Sequence, residues 1–139
     1  MFEFCADGPN GAQPATYPGV PSLRITALAG DWHQSFPWPV TVFARHEALP
    51  VCVKDVLDAL LANFEERLWD EEVCAMSYWR MALTHEAYWR RLKLEVGGRR
   101  PPRDDGLRRV DYLGDAPFFR GLAPAPDGEG FMLFVGPPP

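Results

Sequence analysis

The sequence predicts an α+β fold: a mainly antiparallel sheet of about four strands with two helices on one face, in the chain order ββααββ. Two observations predict it. Residues that alternate between apolar and polar, as in half-buried strands, occur towards both ends of the chain, and apolar residues at helical spacing lie between them. A chain of 139 residues is long enough for one hydrophobic core.

Two strands open the predicted fold. In Ser22–Leu28, Leu23 and Ile25 face one way while Arg24 faces the other, which indicates a half-buried strand. The second strand spans Trp38–Ala44. The link between them is too long for a two-residue hairpin turn. They are still expected to be neighbours, because consecutive elements usually pack side by side.

The first helix has the clearest pattern. Its apolar residues recur at spacings of three and four, which predicts one buried stripe: Val53, Val56, Leu57, Leu60, Leu61, Phe64 and Leu68. We expect Leu57, Leu60, Leu61 and Phe64 to be buried against the sheet. Cys52 takes the N-cap position, and the Asp55 carboxylate is placed to meet the free backbone N–H groups of the first turn.

A second helix and three shorter elements follow. The acidic run from Asp70 predicts a helix start, and the pattern continues to about Val96 with a break near Ser77, before Gly97-Gly98 ends it. Further on, the sequence predicts a short extended piece and two strands joined by a Pro/Gly-rich turn. These three elements are Arg108–Leu113, Phe118–Leu122 and Phe131–Val135.

The ends of the chain differ in composition from the middle. Residues 1–21 are rich in Pro and Gly without periodicity, which predicts a flexible arm that lies partly on the domain. Residues 22–136 form the predicted single α+β domain. Residues 137–139 are a proline tail that cannot continue a central strand.

Several features predict an intracellular protein, cytoplasmic or nuclear. Residues 1–7 lack the basic region and apolar stretch of a secretory signal. No apolar run approaches the roughly 18–20 residues that a membrane span needs, so no membrane partner is expected. The three cysteines, Cys5, Cys52 and Cys74, lack the spacing of a disulfide framework, which favours a reducing compartment.

The sequence contains no recognisable catalytic, cofactor or metal motif. CxxC, HExxH and His-x3-His are absent, and no serine lies in a Gly-x-Ser-x-Gly elbow. Cys52 is the remaining candidate nucleophile, because a helix start can activate a thiol. The favoured interpretation is that it packs as a small thiol beneath Val51 and Val53. We therefore expect no catalytic residue, no cofactor and no metal.

Positive charge is concentrated in residues 90–109. This segment has a formal charge of +5, whereas the rest of the chain carries −10. The candidate interaction surface consists of Arg99, Arg100, Arg103 and Arg108. A Gly/Pro-rich link cannot bury arginines cheaply, so the first three should be exposed and free to bind an acidic protein partner. The alternative, which we favour, is that they only offset nearby acids. The net charge of −5 disfavours nucleic acid as a partner.

Two further groups allow two interpretations each. Tyr78, Trp79, Tyr88 and Trp89 lie near arginines and could stack on single-stranded bases. The favoured alternative is an amphipathic helix that buries some aromatics and solvates its basic C-terminal end. Asp111 lies in an apolar context and should accept hydrogen bonds from backbone or an arginine. A role as a site carboxylate is the alternative.

From the second strand onward the chain resembles a known family. The matching segments, in order, are Trp38–Val42, Pro50–Leu60, Ala87–Arg91, Arg108–Leu113 and Phe119–Leu122, within about residues 22–136. They resemble a domain of unknown function that is abundant in mushroom-forming (basidiomycete) fungi. Cys52 departs from the Thr or Ser cap that similar proteins usually carry. The resemblance implies a fold and a fungal origin, but no activity and no catalytic residues.

These observations together favour a non-enzymatic binding or protein-interaction domain. The alternative is an enzyme or small-ligand carrier whose site is assembled from residues distant in the sequence. A deep polar pocket with a perturbed titratable group would indicate the alternative. A flat or basic exposed face would indicate the interaction domain.

Overall fold

A computed structural model describes residues 12–29, 36–96, 106–126 and 128–137. Within these residues the fold is α+β, as predicted, with four strands and three α-helices. In chain order the elements are β1 (Ser22–Leu28), β2 (Val40–Phe43), α1 (Val53–Glu65), α2 (Asp70–Cys74), α3 (Tyr78–Val96), a 3-10 helix (Arg109–Leu113), β3 (Phe118–Pro124) and β4 (Phe131–Gly136).

The sheet is mixed, with the strand order β2-β1-β4-β3. β1 pairs antiparallel with β2, so that Leu23 lies opposite Val42. β1 also pairs with β4 in parallel, so that Leu28 lies opposite Leu133. The prediction of a mainly antiparallel sheet was therefore wrong. Alternation within a strand reports which face is buried, whereas the direction of pairing is decided by the long crossover connection between β1 and β4.

The number of helices and the chain order also differ from the prediction, because the chain order is ββαααββ. The break expected near Ser77 separates α2 from α3. The Ser77 hydroxyl accepts a hydrogen bond from the Arg80 backbone N–H at 3.1 Å and so caps the start of α3. What the sequence predicted as one helix with a break is thus two separate helices.

The segment Arg108–Leu113 was predicted to be extended, and this was wrong. It forms the 3-10 helix Arg109–Leu113, and Asp111 stabilises the start of that helix. The Asp111 carboxylate accepts a hydrogen bond from the Arg108 backbone N–H at 2.8 Å. A turn closed by one side chain leaves no periodic pattern over so few residues.

The chain forms two compact units. Among the described residues, the sheet unit comprises 12–29, 36–63, 119–126 and 128–135, and the helical unit comprises 64–96, 106–118 and 136–137. In the sheet unit, backbone hydrogen bonds join residues 13–20 to the start of α1. Ala15 N–H donates to the Val51 carbonyl at 2.9 Å, and Val51 N–H donates to the Val20 carbonyl at 2.8 Å.

The stripe of α1 is buried as predicted at three of the four expected positions. Leu57 and Leu60 are 8% and 0% exposed, and Phe64 is 1% exposed. Leu61 was predicted to be buried, but it is 38% exposed. Successive helical residues are rotated by about 100°, so Leu61 lies at the margin of the stripe on which Leu57, Leu60 and Phe64 are centred.

Candidate functional site

A buried carboxylate organises the helical unit. Asp111 is 2% exposed, and both of its oxygens accept hydrogen bonds from Arg91 of α3, from Nε to Oδ1 and from Nη2 to Oδ2, at 3.0 Å each. The Arg108 backbone N–H is its third donor. The expectation that Asp111 accepts hydrogen bonds from backbone or an arginine is therefore confirmed. Because donors from its own chain surround this carboxylate, its described contacts are those of a structural group.

A second arginine of α3 lies between a buried ring and an exposed ring. Arg80 Nη1 donates a hydrogen bond to the Tyr112 carbonyl at 3.0 Å. The Arg80 guanidinium carbon lies 4.6 Å from the centre of the Tyr112 ring and 5.2 Å from that of Trp79. Tyr112 is 1% exposed, whereas Trp79 is 66% exposed. Arg80 thus connects a surface tryptophan to the core of the helical unit through two cation–π contacts.

A related contact holds the second tryptophan of α3. The rings of Trp89 and Tyr88 are 5.3 Å apart at an angle of 61°, an edge-to-face arrangement. Tyr88 is 5% exposed and Trp89 is 58% exposed. The Arg91 guanidinium carbon lies 5.4 Å from the centre of the Tyr88 ring. Arg91 therefore contacts both Asp111 and the tyrosine that supports Trp89.

The exposed residues of α3 lie together on one face. Between Tyr78 and Lys93 the exposed positions are Tyr78, Trp79, Ala82, His85, Glu86, Trp89, Arg90 and Lys93. At about 100° per residue they fall within an arc of about 140°. Charged and polar residues normally cover such a face. Here three of its eight residues are tryptophan or tyrosine, and we refer to these eight residues as the aromatic face of α3.

The helix therefore divides its aromatics between core and surface. It buries Tyr88 and exposes Tyr78, Trp79 and Trp89, so the expectation that some would be buried holds for Tyr88. The sequence contained a signal that two of the exposed aromatics share one side of the helix. Tyr78 and Trp89 are eleven residues apart, a spacing that returns to nearly the same side of a helix.

The predicted arginine surface is described only at Arg108. Arg99, Arg100 and Arg103 lie outside the described residues. Arg108 is half-buried in the helical unit, where it forms an isolated antiparallel bridge with Arg67. Neighbouring backbone bonds secure this bridge: Leu68 N–H donates to the Leu107 carbonyl and Arg109 N–H to the Glu66 carbonyl, each at 2.8 Å.

In the sheet unit, the start of α1 places a second carboxylate. Asp55 accepts a hydrogen bond from the Cys52 backbone N–H at 3.0 Å and lies 3.4 Å from Arg45 Nε. Burial by itself raises the pKa of Asp55. Hydrogen bonds from the Cys52 amide and thiol, together with the Arg45 charge, outweigh burial and lower the pKa below 3.8. The predicted meeting of this carboxylate with a free backbone N–H is confirmed.

The described residues provide neither a metal-binding cluster nor a membrane-spanning helix. No group of three or more His, Cys, Asp or Glu in the described part of the chain is arranged to hold a metal ion. Among the helices described, none combines the length and the apolar character that crossing a membrane requires.

Fold and contacts define a small α+β protein with an exposed aromatic helix face and carboxylates engaged by groups of the same chain. Residues 4–129 match the family of unknown function DUF6699, and the chain belongs to this family. The membership confirms the resemblance to a domain of unknown function. No curated protein and no solved structure matches the chain. The comparisons therefore indicate no specific function.

Proposed function

We propose that this chain is a non-enzymatic protein-interaction domain that binds its partner through exposed aromatic side chains of the helical unit. The observation that carries the proposal is the exposure of four large aromatics within about twenty residues. Trp69 is 70% exposed, Tyr78 90%, Trp79 66% and Trp89 58%. Tryptophan and tyrosine are enriched at protein interfaces and supply much of the binding energy there.

The carboxylates do not favour the alternative of an enzyme. Amides and arginines of the same chain bind the carboxylates of both Asp55 and Asp111. A general base needs a carboxylate that can reach its substrate. Neither arrangement calls for a cofactor.

We propose that the arginines predicted as an interaction surface make a second contribution to partner binding. Changing Arg99, Arg100 and Arg103 together to Ser should reduce capture of acidic partners at low salt, because screening acts within about 8–10 Å. At high salt the parent and the variant should capture the same partners. Identical capture at low salt would remove these three arginines from the binding surface.

We also propose that the protein is intracellular, in the cytoplasm or nucleus, and that it comes from a basidiomycete fungus. The compartment is supported by the cysteine usage, since Cys52 and Cys74 are both free thiols. The origin is supported by the resemblance of the segments from Trp38 to Leu122. Fractionation of mushroom cells with an antibody to the chain would test both; a signal confined to the medium would contradict the compartment.

Affinity capture from fungal lysate tests the binding function, with proteins, nucleic acids and small molecules analysed together. The parent chain is compared with a variant in which Tyr78, Trp79 and Trp89 are changed to Ser. A matched control carries three Ser substitutions at exposed apolar positions of the sheet unit: Phe43, Leu49 and Leu61. A protein captured by the parent and the control, but lost from the aromatic variant, supports the proposal. Selective capture of a small molecule instead would overturn it.

A further inference from the structure

We infer that the aromatic face of α3 binds an acidic, apolar peptide segment of a partner protein. The apolar side chains of that segment pack on Tyr78, Trp79 and Trp89, and its carboxylates meet Arg90 and Lys93. The inference rests on the proposed function and specifies both the surface and the chemistry of the partner.

The aromatic face is held in place before binding. Trp79 is in contact with Arg80, which Tyr112 fixes by a hydrogen bond of 3.0 Å and a ring contact. Trp89 rests edge to face on buried Tyr88. A side chain that is already ordered loses less conformational entropy on binding, so more of its contact energy contributes to affinity.

The charge of the aromatic face favours an acidic partner. The aromatic face carries two cations, Arg90 and Lys93, and one acid, Glu86, whereas acids outnumber Lys and Arg by 19 to 14 in the chain as a whole. Glu86 already pairs with Arg90 at 3.3 Å. With two cations and one acid, the face is therefore net positive on a net negative protein, and a segment with carboxylates complements it.

The length of the aromatic face and the order of its residues along α3 define the matching segment. From Tyr78 to Lys93 the face extends about 22 Å along the axis, a distance that about 7 extended or 15 helical residues would span. Two of the aromatics lie at its N-terminal end, and both cations lie in its C-terminal part. A matching segment therefore has apolar residues towards one end and Asp or Glu towards the other.

A displayed library of random 16-residue peptides, selected on the immobilised full chain, provides the test. Enriched peptides should combine aliphatic or aromatic residues with Asp or Glu and carry a net negative charge. A resynthesised peptide should bind about tenfold more weakly to Trp79→Ser or Trp89→Ser. It should also bind several-fold more weakly to the charge reversal Arg90→Glu/Lys93→Glu, with a smaller effect at high salt. Phe43→Ser, an exposed change in the sheet unit, should leave the affinity within about twofold.

Circular dichroism is used to check that each variant is folded. The charge reversal alters only exposed side chains. Enriched peptides that are basic, or that bind the tryptophan variants as tightly as they bind the parent, would overturn this inference. A protein partner identified by lysate capture would still support the proposed function. Absence of any captured protein would overturn the proposed function itself. Binding of a uridine 20-mer that Trp79→Ser abolishes, without peptide enrichment, would make single-stranded nucleic acid the occupant and overturn the inference.

Discussion

Arg91 and Asp111 form a two-point ion pair in which each of the two N–O distances is 3.0 Å. The Asp111 side chain is 2% exposed and the Arg91 side chain 15%. The pair connects the C-terminal part of α3 to the 3-10 helix, twenty residues further along the chain. Because both groups are desolvated, removing one of them leaves an uncompensated charge in a poorly hydrated site.

Asp111→Ala should therefore lower the free energy of unfolding by about 3–5 kcal/mol. The substitution leaves the Arg91 charge without its carboxylate and removes the acceptor of the Arg108 N–H. Combining it with Arg91→Met should cost less than the sum of the two single changes, because the double variant contains no unpaired charge at this site. Urea denaturation of the three variants and the parent gives the coupling energy.

The control for this cycle is Asp115→Ala, an exposed acid just beyond the 3-10 helix. It should change stability by no more than about 0.5 kcal/mol. If Asp111→Ala were equally mild, the carboxylate would have to be hydrated and the pair would not support the helical unit.

Neighbouring leucines of α1 provide a matched pair for the core of the sheet unit. Leu60 is 0% exposed, so Leu60→Ala should lower the free energy of unfolding by about 2–5 kcal/mol through lost burial and a residual cavity. Leu61 is 38% exposed, and Leu61→Ala should cost about 1 kcal/mol or less, because part of the Leu61 surface is already in contact with water and less burial is lost. Equal losses in a denaturant melt would contradict the orientation of α1.

The turn between β3 and β4 contains two glycines with positive φ in different surroundings. At Gly128 (φ +77°) nothing lies within 4 Å of an added Cβ, whereas at Gly130 (φ +92°) it would lie 2.7 Å from the Arg24 carbonyl oxygen. Gly128→Ala should therefore cost only the left-handed backbone strain, about 1–2 kcal/mol. Gly130→Ala should cost about 1–3 kcal/mol more than Gly128→Ala, because the backbone at Arg24 has to move. Thermal melts that rank them in the opposite order would contradict the close approach of β1 to this turn.

Local patterns predicted where elements occur better than how they pair. β1 has the predicted bounds Ser22–Leu28, and the predicted strand Phe131–Val135 differs from β4 by one residue. The parallel pairing of β1 with β4 could not be predicted, because neither strand carries a mark of its neighbour's direction. The expectation for Leu61 failed for a related reason: spacing shows the centre of an apolar stripe but not its width.

The residue types of the candidate surface could be predicted from the sequence, but which of them face solvent could not. The sequence placed aromatics and arginines together in the second helix. Which of them face solvent depends on the rotation of α3, since buried Tyr88 and exposed Trp89 are adjacent in the sequence. Arg91 was expected to be solvated at a helix end. It is half-buried instead because Asp111, which is distant in sequence, pairs with it.

The Asp55 carboxylate at the start of α1 should make the stability of the protein depend on pH. The pKa of Asp55 is lowered from 3.8 in the folded protein. Between the folded and the unfolded pKa, the folded chain therefore binds fewer protons than the unfolded chain. Its contribution to stability is therefore fully present above about pH 5 and is lost as the pH falls through the folded pKa. Asp55→Asn should cost about 1 kcal/mol at pH 7. The difference between variant and parent should shrink as the pH falls through the folded pKa. Urea melts at pH 7 and at successively lower pH values measure it, and a difference that stayed constant with pH would mean that the Asp55 charge does not contribute.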